Sequence, residues 1–182
     1  MARKKYYNIK NLKSTNAQYM MLLGERANGK SYQVKHTCIE DWLKDGTKFI
    51  YLRRWQRDIK TSAVEMYFED VDIPKLTNGE WEGIRAWQNT IYIYRMNDKG
   101  KRVQKEIGMY LALNEAERYK SWAFVGYGNI IYEEFITDQT YLENEPTRLQ
   151  QFISTIFRLS RGCVYLVGNT LSRVCPYFHE KL

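Results

Sequence analysis

The stretch Gly24-Glu25-Arg26-Ala27-Asn28-Gly29-Lys30-Ser31 matches G-x-x-x-x-G-K-[ST] at every fixed position. The apolar run Met20-Met21-Leu22-Leu23 precedes it and reads as a buried strand. Gly29 to about Lys44 follows as a helix, with Val34, Ile39, Trp42 and Leu43 on its apolar face. Strand, glycine loop and helix together make a phosphate nest. Gly24 and Gly29 permit a tight turn in which several N–H groups converge on one anion. The helix start adds unpaired N–H groups and a positive dipole end. In such a loop Lys30 reaches the β- and γ-phosphates of a nucleoside triphosphate, and the Ser31 hydroxyl ligates Mg2+. The bland alternative, a glycine turn followed by a lysine, does not call for the flanking strand and helix.

Phosphoryl transfer from such a loop needs Mg2+ held opposite it and an aligned water. The strand Asn129 to Phe135 supplies two acids at its end. Glu133 reads as the metal-side acid, usually acting through water, and Glu134 as the general base that polarises the attacking water. Successive strand residues face opposite sides, so the two cannot share one role unless the strand is already ending there. A pair of surface glutamates is the other reading. Lys48-Phe49-Ile50-Tyr51-Leu52-Arg53 is a further strand, with Arg53 and Arg54 at its C-terminal end. In open α/β sheets ligands bind at that edge, although a solvated strand end explains the pair as well. Cys163 to Val167 is another buried strand, running into Gly168-Asn169. Asn169 is placed to bond the γ-phosphate or the water, or to serve as a turn residue. Arg158 lies at the end of the helix Pro146–Leu159, and Arg161 between it and that strand. An arginine projecting from there could neutralise the moving phosphoryl group of a neighbouring subunit; a helix C-terminal charge accounts for Arg158 equally well.

The remaining segments complete the frame. Asp58 to Val71 has helical spacing, and Pro74 stops it. Ile91 to Met109 reads as a hairpin around Asn97-Asp98-Lys99-Gly100. Lys99, Lys101, Arg102 and Lys105 cluster there, either as a solvated tip or as a DNA contact. Ala116 to Ser121 reads as a short helix or loop. Strands alternating with helices predict an α/β fold: a mostly parallel central sheet flanked by helices, with a β-hairpin insertion.

With 182 residues the chain has room for one such domain. A formal net charge of +7 and a pI near 9.2 favour an acidic partner such as nucleic acid, or simply a soluble basic protein. No run of 18 apolar residues is present, so no membrane span is expected. Met1-Ala2-Arg3-Lys4-Lys5 is basic without an apolar core behind it and does not read as a secretory signal. Cys38, Cys163 and Cys175 lack metal spacing and read as reduced thiols. His36 and His179 are the two histidines, too few for histidine-based metal or triad chemistry.

Four segments carry a family resemblance: G-E-R-A-N-G-K-S-Y at Gly24–Tyr32, F-I-Y-L-R-R at Phe49–Arg54, I-I-Y-E-E-F-I at Ile130–Ile136, and F-R…G-N…P-Y-F from Phe157 to Phe178. Together they resemble the DNA-packaging ATPase of small podophages (Picovirinae type). The resemblance implies an additional-strand P-loop NTPase fold, with ATP and Mg2+ as cofactors. It implies a ring, a pentamer, around double-stranded DNA, docked on a prohead connector with a packaging RNA, in the host cell cytoplasm. It assigns Lys30, Ser31 and Glu134 the roles argued above and makes Arg26 the arginine of the family's loop. The expected nucleotide-binding set is Gly24, Arg26, Asn28, Gly29, Lys30, Ser31, Tyr32, Lys120 and Asn169, with Ser31 and Glu133 on the metal. Arg158 is the favoured trans-acting finger, and Lys120 is expected to act across the subunit interface. Two departures stand out. Glu133 occupies the position where the family usually has Asp. The chain also stops soon after Phe178, where the family continues into a nuclease-like domain, so residues 1–182 are expected to be a single ATPase domain.

The expected function is therefore an ATP-hydrolysing, DNA-translocating motor domain. A P-loop kinase for a small acceptor and a nucleotide-dependent DNA clamp without turnover are the competing readings.

Overall fold

A computed structural model describes residues 9–158, 160–170 and 175–178. In chain order the helices are α1 (Lys10–Lys13), α2 (Lys30–Asp45), α3 (Thr61–Phe68), α4 (Ile73–Leu76) and α5 (Glu145–Ile156). The strands are β1 (Tyr19–Gly24), β2 (Lys48–Arg53), β3 (Gly83–Trp87), β4 (Thr90–Met96), β5 (Arg102–Ala112), β6 (Tyr127–Glu133) and β7 (Cys163–Asn169). They form one sheet in the order β1-β7-β6-β2-β5-β4-β3. The first five in that order run parallel, and β5, β4 and β3 continue as an antiparallel meander.

Side-chain alternation sorts the core into two layers. Phe49, Tyr51, Ile131, Tyr165 and Val167 pack on one face, beneath Val34, Cys38 and Ile39 of α2 and Val64 and Phe68 of α3. Ile50, Leu52, Ile130, Tyr132, Val164 and Leu166 pack on the other, beneath Leu149, Phe152, Ile153 and Ile156 of α5. Burial on both faces explains why the parallel strands read as continuous apolar runs rather than alternating ones. The topology has one consequence for function. β7 lies between β1, which ends in the glycine loop, and β6, which ends in the acids. Because all three are parallel, the loop, the acids and Asn169 meet at the same end of the sheet.

Three segments differ from the sequence reading. The helix expected over Asp58 to Val71 is confined to α3, because Gln56–Asp58 closes a separate 3-10 turn whose Gln56 N–H donates to Asn114 Oδ1 at 2.9 Å. Leu113–Ser121 is a long 3-10 segment. The hairpin gains a third strand, β3, joined to β4 through Gln88 and Asn89, both at positive φ. Two residues at positive φ make the hairpin turn that Asn-Gly usually marks; Gln-Asn carries a weaker signal. The basic residues Met1–Lys5 and the positions Leu171, Val174 and His179 lie outside the described residues. Among the described residues no helix is long and apolar enough to cross a membrane.

β5 approaches β2 closely at Gly108, where an added Cβ would stand 2.4 Å from the Phe49 carbonyl oxygen. Neither strand can move without breaking the ladder. Gly108→Ala is therefore expected to destabilise the fold by about 1–3 kcal/mol, read as a lowered urea midpoint at unchanged slope.

Candidate functional site

The loop between β1 and α2 has the backbone its sequence demands. Gly24 and Gly29 lie at φ +156° and +83°, and Ala27 joins them at +62°. A side chain at Gly24 would collide with Asn28 Nδ2 at 2.5 Å, so the loop is a cradle that a Cβ would fill. Lys30 opens α2 yet is buried. Its Nζ reaches the Gly24 carbonyl at 3.1 Å, the Glu25 carbonyl at 2.7 Å, Asn28 Oδ1 at 3.0 Å and Asn169 Oδ1 at 3.4 Å. Burial draws its pKa below the ordinary lysine value, with Glu133 acting in the opposite direction. Asn28 also accepts from the Lys30 backbone N–H at 3.4 Å. Tyr32, on the first turn of α2, stands beside His36 with ring centroids 5.8 Å apart.

The two acids have opposite environments. β6 ends at Glu133, which is 7% exposed on the α2 face of the sheet. Burial raises its carboxyl above the usual range, while hydrogen bonds from Tyr67 and Ser31 hold it down. Tyr67 Oη donates to Glu133 Oε1 at 2.6 Å, and burial together with Glu133 pushes the phenol well above its ordinary value. The next residue, Glu134, turns to φ +56°. That turn ends the alternation and brings its exposed carboxylate to the same end of the sheet. Arg53 Nη2 donates to Glu134 Oε2 at 2.6 Å.

Ser31, Lys35, Arg53, Tyr67, Glu133, Glu134 and Asn169 line a cavity of about 270 Å3. A second cavity of about 260 Å3 adjoins it, with Arg26, Arg53, Glu134 and Asn169 in its wall. The donor set fits Mg2+, whose preferred ligands are hydroxyl, carboxylate and water oxygens. The cradle at Gly24 fits a phosphate. So does Arg53 Nε, one of two buried side-chain polar atoms without a partner among the described residues.

Arg54 departs from the strand-end ligand reading. It is buried, and its guanidinium is consumed by structure. Nε donates to Glu145 Oε2 at 2.7 Å, Nη1 to the Glu134 carbonyl at 3.1 Å and Nη2 to the Phe135 carbonyl at 2.9 Å. Sequence spacing gave no hint of this role, because the carbonyls and Glu145 lie 80 to 91 positions away. Tyr67 was likewise missed: on α3 it reads as one more apolar helix residue.

Arg158 and Lys120 are together but apart from the loop. Arg158 Nη2 donates to the Lys120 carbonyl at 2.5 Å, and Lys120 Nζ pairs with Glu117 at 2.7 Å. Both are exposed, and neither bonds to the loop or the acids. Arg161 precedes β7, at the opposite end of the sheet, in the wall of a cavity with Lys13 and Met20.

The chain is similar to known proteins over almost its whole length. The family model of the podovirus DNA encapsidation protein (Gp16) matches residues 1–180. The DNA packaging protein of Bacillus phage phi29 is 28% identical over 188 aligned positions, covering 98% of this chain and 50% of that protein. This chain thus spans about half the length of the curated relatives it matches. The crystal structure of the N-terminal domain of the DNA packaging ATPase from bacteriophage phi29 superposes with a TM-score of 0.78 at 29% identity, over 96% of this chain and 84% of that one. A structure of the phi29 viral genome packaging motor assembly gives 0.76, also at 29% identity, over 96% and 50% of the two chains.

The two neighbouring arginines separate experimentally. Arg54→Ala leaves Glu145 buried without its cation and should cost about 3–5 kcal/mol in chemical denaturation. Arg53→Ala takes a partner from the exposed Glu134 carboxylate and from Tyr51 but leaves no charge buried and unpaired, so it should cost less than Arg54→Ala. Equal losses would contradict the division of labour described here.

Proposed function

From the premise that the chain belongs to the podovirus DNA encapsidation protein (Gp16) family, we propose that it is the ATP-hydrolysing domain of a motor that drives double-stranded DNA into a prohead. The observation that carries this reading is the meeting of Ser31 with Glu133, and of Lys30 with Asn169, in one region whose wall also holds Glu134. The position of β7 between β1 and β6 supports the finer assignment to the additional-strand class of P-loop NTPases.

Each residue has a task. The loop N–H groups from Gly24 to Ser31 would bind the phosphates. Lys30 would leave its carbonyl partners for the β- and γ-phosphates, while Asn28 and Asn169 steady it. Ser31 and Glu133 would hold Mg2+, which neutralises charge on the phosphate oxygens when bound. Glu134 would take the proton of the attacking water. In the described state that carboxylate is engaged by Arg53, so hydrolysis requires Glu134 to exchange Arg53 for water. Arg26, in the wall beside Arg53 and Glu134, faces the same exchange.

Arg158 and Lys120 have no bond to their own loop, which favours action on a neighbour's nucleotide. The functional unit in this reading is a ring of identical subunits, a pentamer, on a prohead connector and packaging RNA in the host cytoplasm. Phosphate release by this route needs no small acceptor, which separates it from a kinase.

Glu134→Gln should lower ATP turnover by about 10²–10⁴-fold while leaving the affinity for a fluorescent ATP analogue unchanged; near-normal turnover would remove Glu134 as the base. Mixing Arg158→Ala with Lys30→Ala protein, each inactive alone, should restore part of the turnover in the presence of duplex DNA. A mixture that assembles into rings and stays silent at every ratio would remove Arg158 as a trans-acting finger.

A further inference from the structure

We propose that Tyr67 is a positioning residue that holds Glu133 in the orientation from which it receives the Mg2+ of bound ATP; the proposal rests on the ATP–Mg2+ reading of this site. Tyr67 donates its hydroxyl to Glu133 Oε1 at 2.6 Å. The bond occupies one carboxylate oxygen and leaves the other for the cation or its water.

Tyr67 is itself fixed from three sides. Its ring stacks on Tyr51 with centroids 4.3 Å apart and planes 24° apart. Phe68 meets it edge-on at 5.0 Å. Lys35 Nζ lies 4.4 Å from the ring centroid and also bonds to the Tyr67 carbonyl and to Asp70. Lys35 stands one helical turn after Ser31, on the same face of α2. The contacts therefore close a circuit. Ser31 and Glu133 line one cavity, Glu133 accepts from Tyr67, Tyr67 is clamped by Lys35, and Lys35 returns to the helix that carries Ser31.

This circuit gives a physical reason for glutamate at the metal-side position. A glutamate has one more rotatable bond than an aspartate and needs a second anchor to present one conformation. Its extra methylene lets the carboxylate reach the α3 phenol. An aspartate would draw back toward β6 and lose that bond. Outer hydrogen bonds to metal-ligating carboxylates are worth about 10–100-fold in metal affinity, so the effect should be visible in binding alone.

The test titrates Mg2+ into the protein with N-methylanthraniloyl-ATP and reads nucleotide fluorescence, without turnover. Tyr67→Phe keeps the ring on Tyr51 and removes only the hydroxyl. The expected result is a Mg2+ midpoint raised about 10–100-fold, with affinity for the nucleotide in EDTA unchanged. On a Glu133→Asp background, Tyr67→Phe should produce no further shift, because the shorter acid has already lost the bond. A merely structural tyrosine would lower the denaturation midpoint and leave the Mg2+ midpoint where it was. That result, or a full-size Tyr67→Phe shift on the Glu133→Asp background, overturns the proposal while the ATP–Mg2+ reading survives. If the wild-type protein binds the nucleotide with no response to Mg2+, that reading fails and the proposal falls with it.

Discussion

A buried guanidinium ties together the end of the sheet where the candidate site lies. Arg54 is the last turn of the chain out of β2, and it spends its donors on Glu145, Glu134 and Phe135. Glu145 in turn accepts from Tyr132 and Tyr177 hydroxyls at 2.6 and 2.7 Å and from the Leu142 N–H at 2.8 Å. Burying a carboxylate this deeply is costly without such a set of partners. The result is a knot that joins four places: the ends of β2 and β6, the start of α5, and the 3-10 turn Pro176–Phe178. It also addresses a local cost. The left-handed backbone at Glu134 is unfavourable by about 1–2 kcal/mol for a residue with a Cβ, and the two carbonyls that follow the strand have lost their ladder. Arg54 satisfies both carbonyls and so holds the strained turn.

That turn explains how two adjacent acids serve different chemistry. In a continuing strand Glu133 and Glu134 would face opposite layers. The strand ends at Glu133, which remains in the ladder and points to the α2 layer, where Ser31 and Tyr67 meet it. Glu134 leaves the ladder, keeps contact with solvent and meets Arg53 instead. A buried carboxylate anchored by a tyrosine hydroxyl is suited to holding a cation in one place. An exposed one on a single arginine is suited to changing partners. The two roles thus follow from one backbone torsion.

Much of this was legible in the sequence, and the pattern of what was not has physical causes. The glycine loop, α2, β2, β6 and β7 were readable because each is a local pattern: a motif, an apolar face, a continuous apolar run. The position of the acids at a strand end was readable for the same reason. β3 was not, because five residues with one buried position and a Gln-Asn turn carry little periodicity. Arg54 and Tyr67 were not, because their meaning lies in partners on other elements. An arginine at a strand end looks the same in sequence whether it meets a phosphate or a buried glutamate. Arg53 and Arg54 are the demonstration: adjacent and identical, one bonds an exposed carboxylate and the other spends its donors on a buried glutamate and two carbonyls.

The location of Arg158 bears on the proposal that it acts on a neighbour's nucleotide. It follows α5 directly, is exposed, and among the described residues is held by a single carbonyl, that of Lys120. Lys120 is held by a surface pair with Glu117. Exposed pairs of this kind contribute between nothing and about 1 kcal/mol, so neither cation is committed to its present partner. At the loop end Lys30 bonds four oxygens, Arg54 three, and Lys35 bonds Tyr67 and Asp70, while Arg53 holds only the exposed Glu134 carboxylate and Tyr51. A cation that must act on a neighbour's phosphate has to be cheap to release from its own subunit. One that shapes the site has to be expensive to remove. Arg158 and Lys120 meet the first condition and Arg54 the second, which is what the proposed action of Arg158 on a neighbour's nucleotide requires.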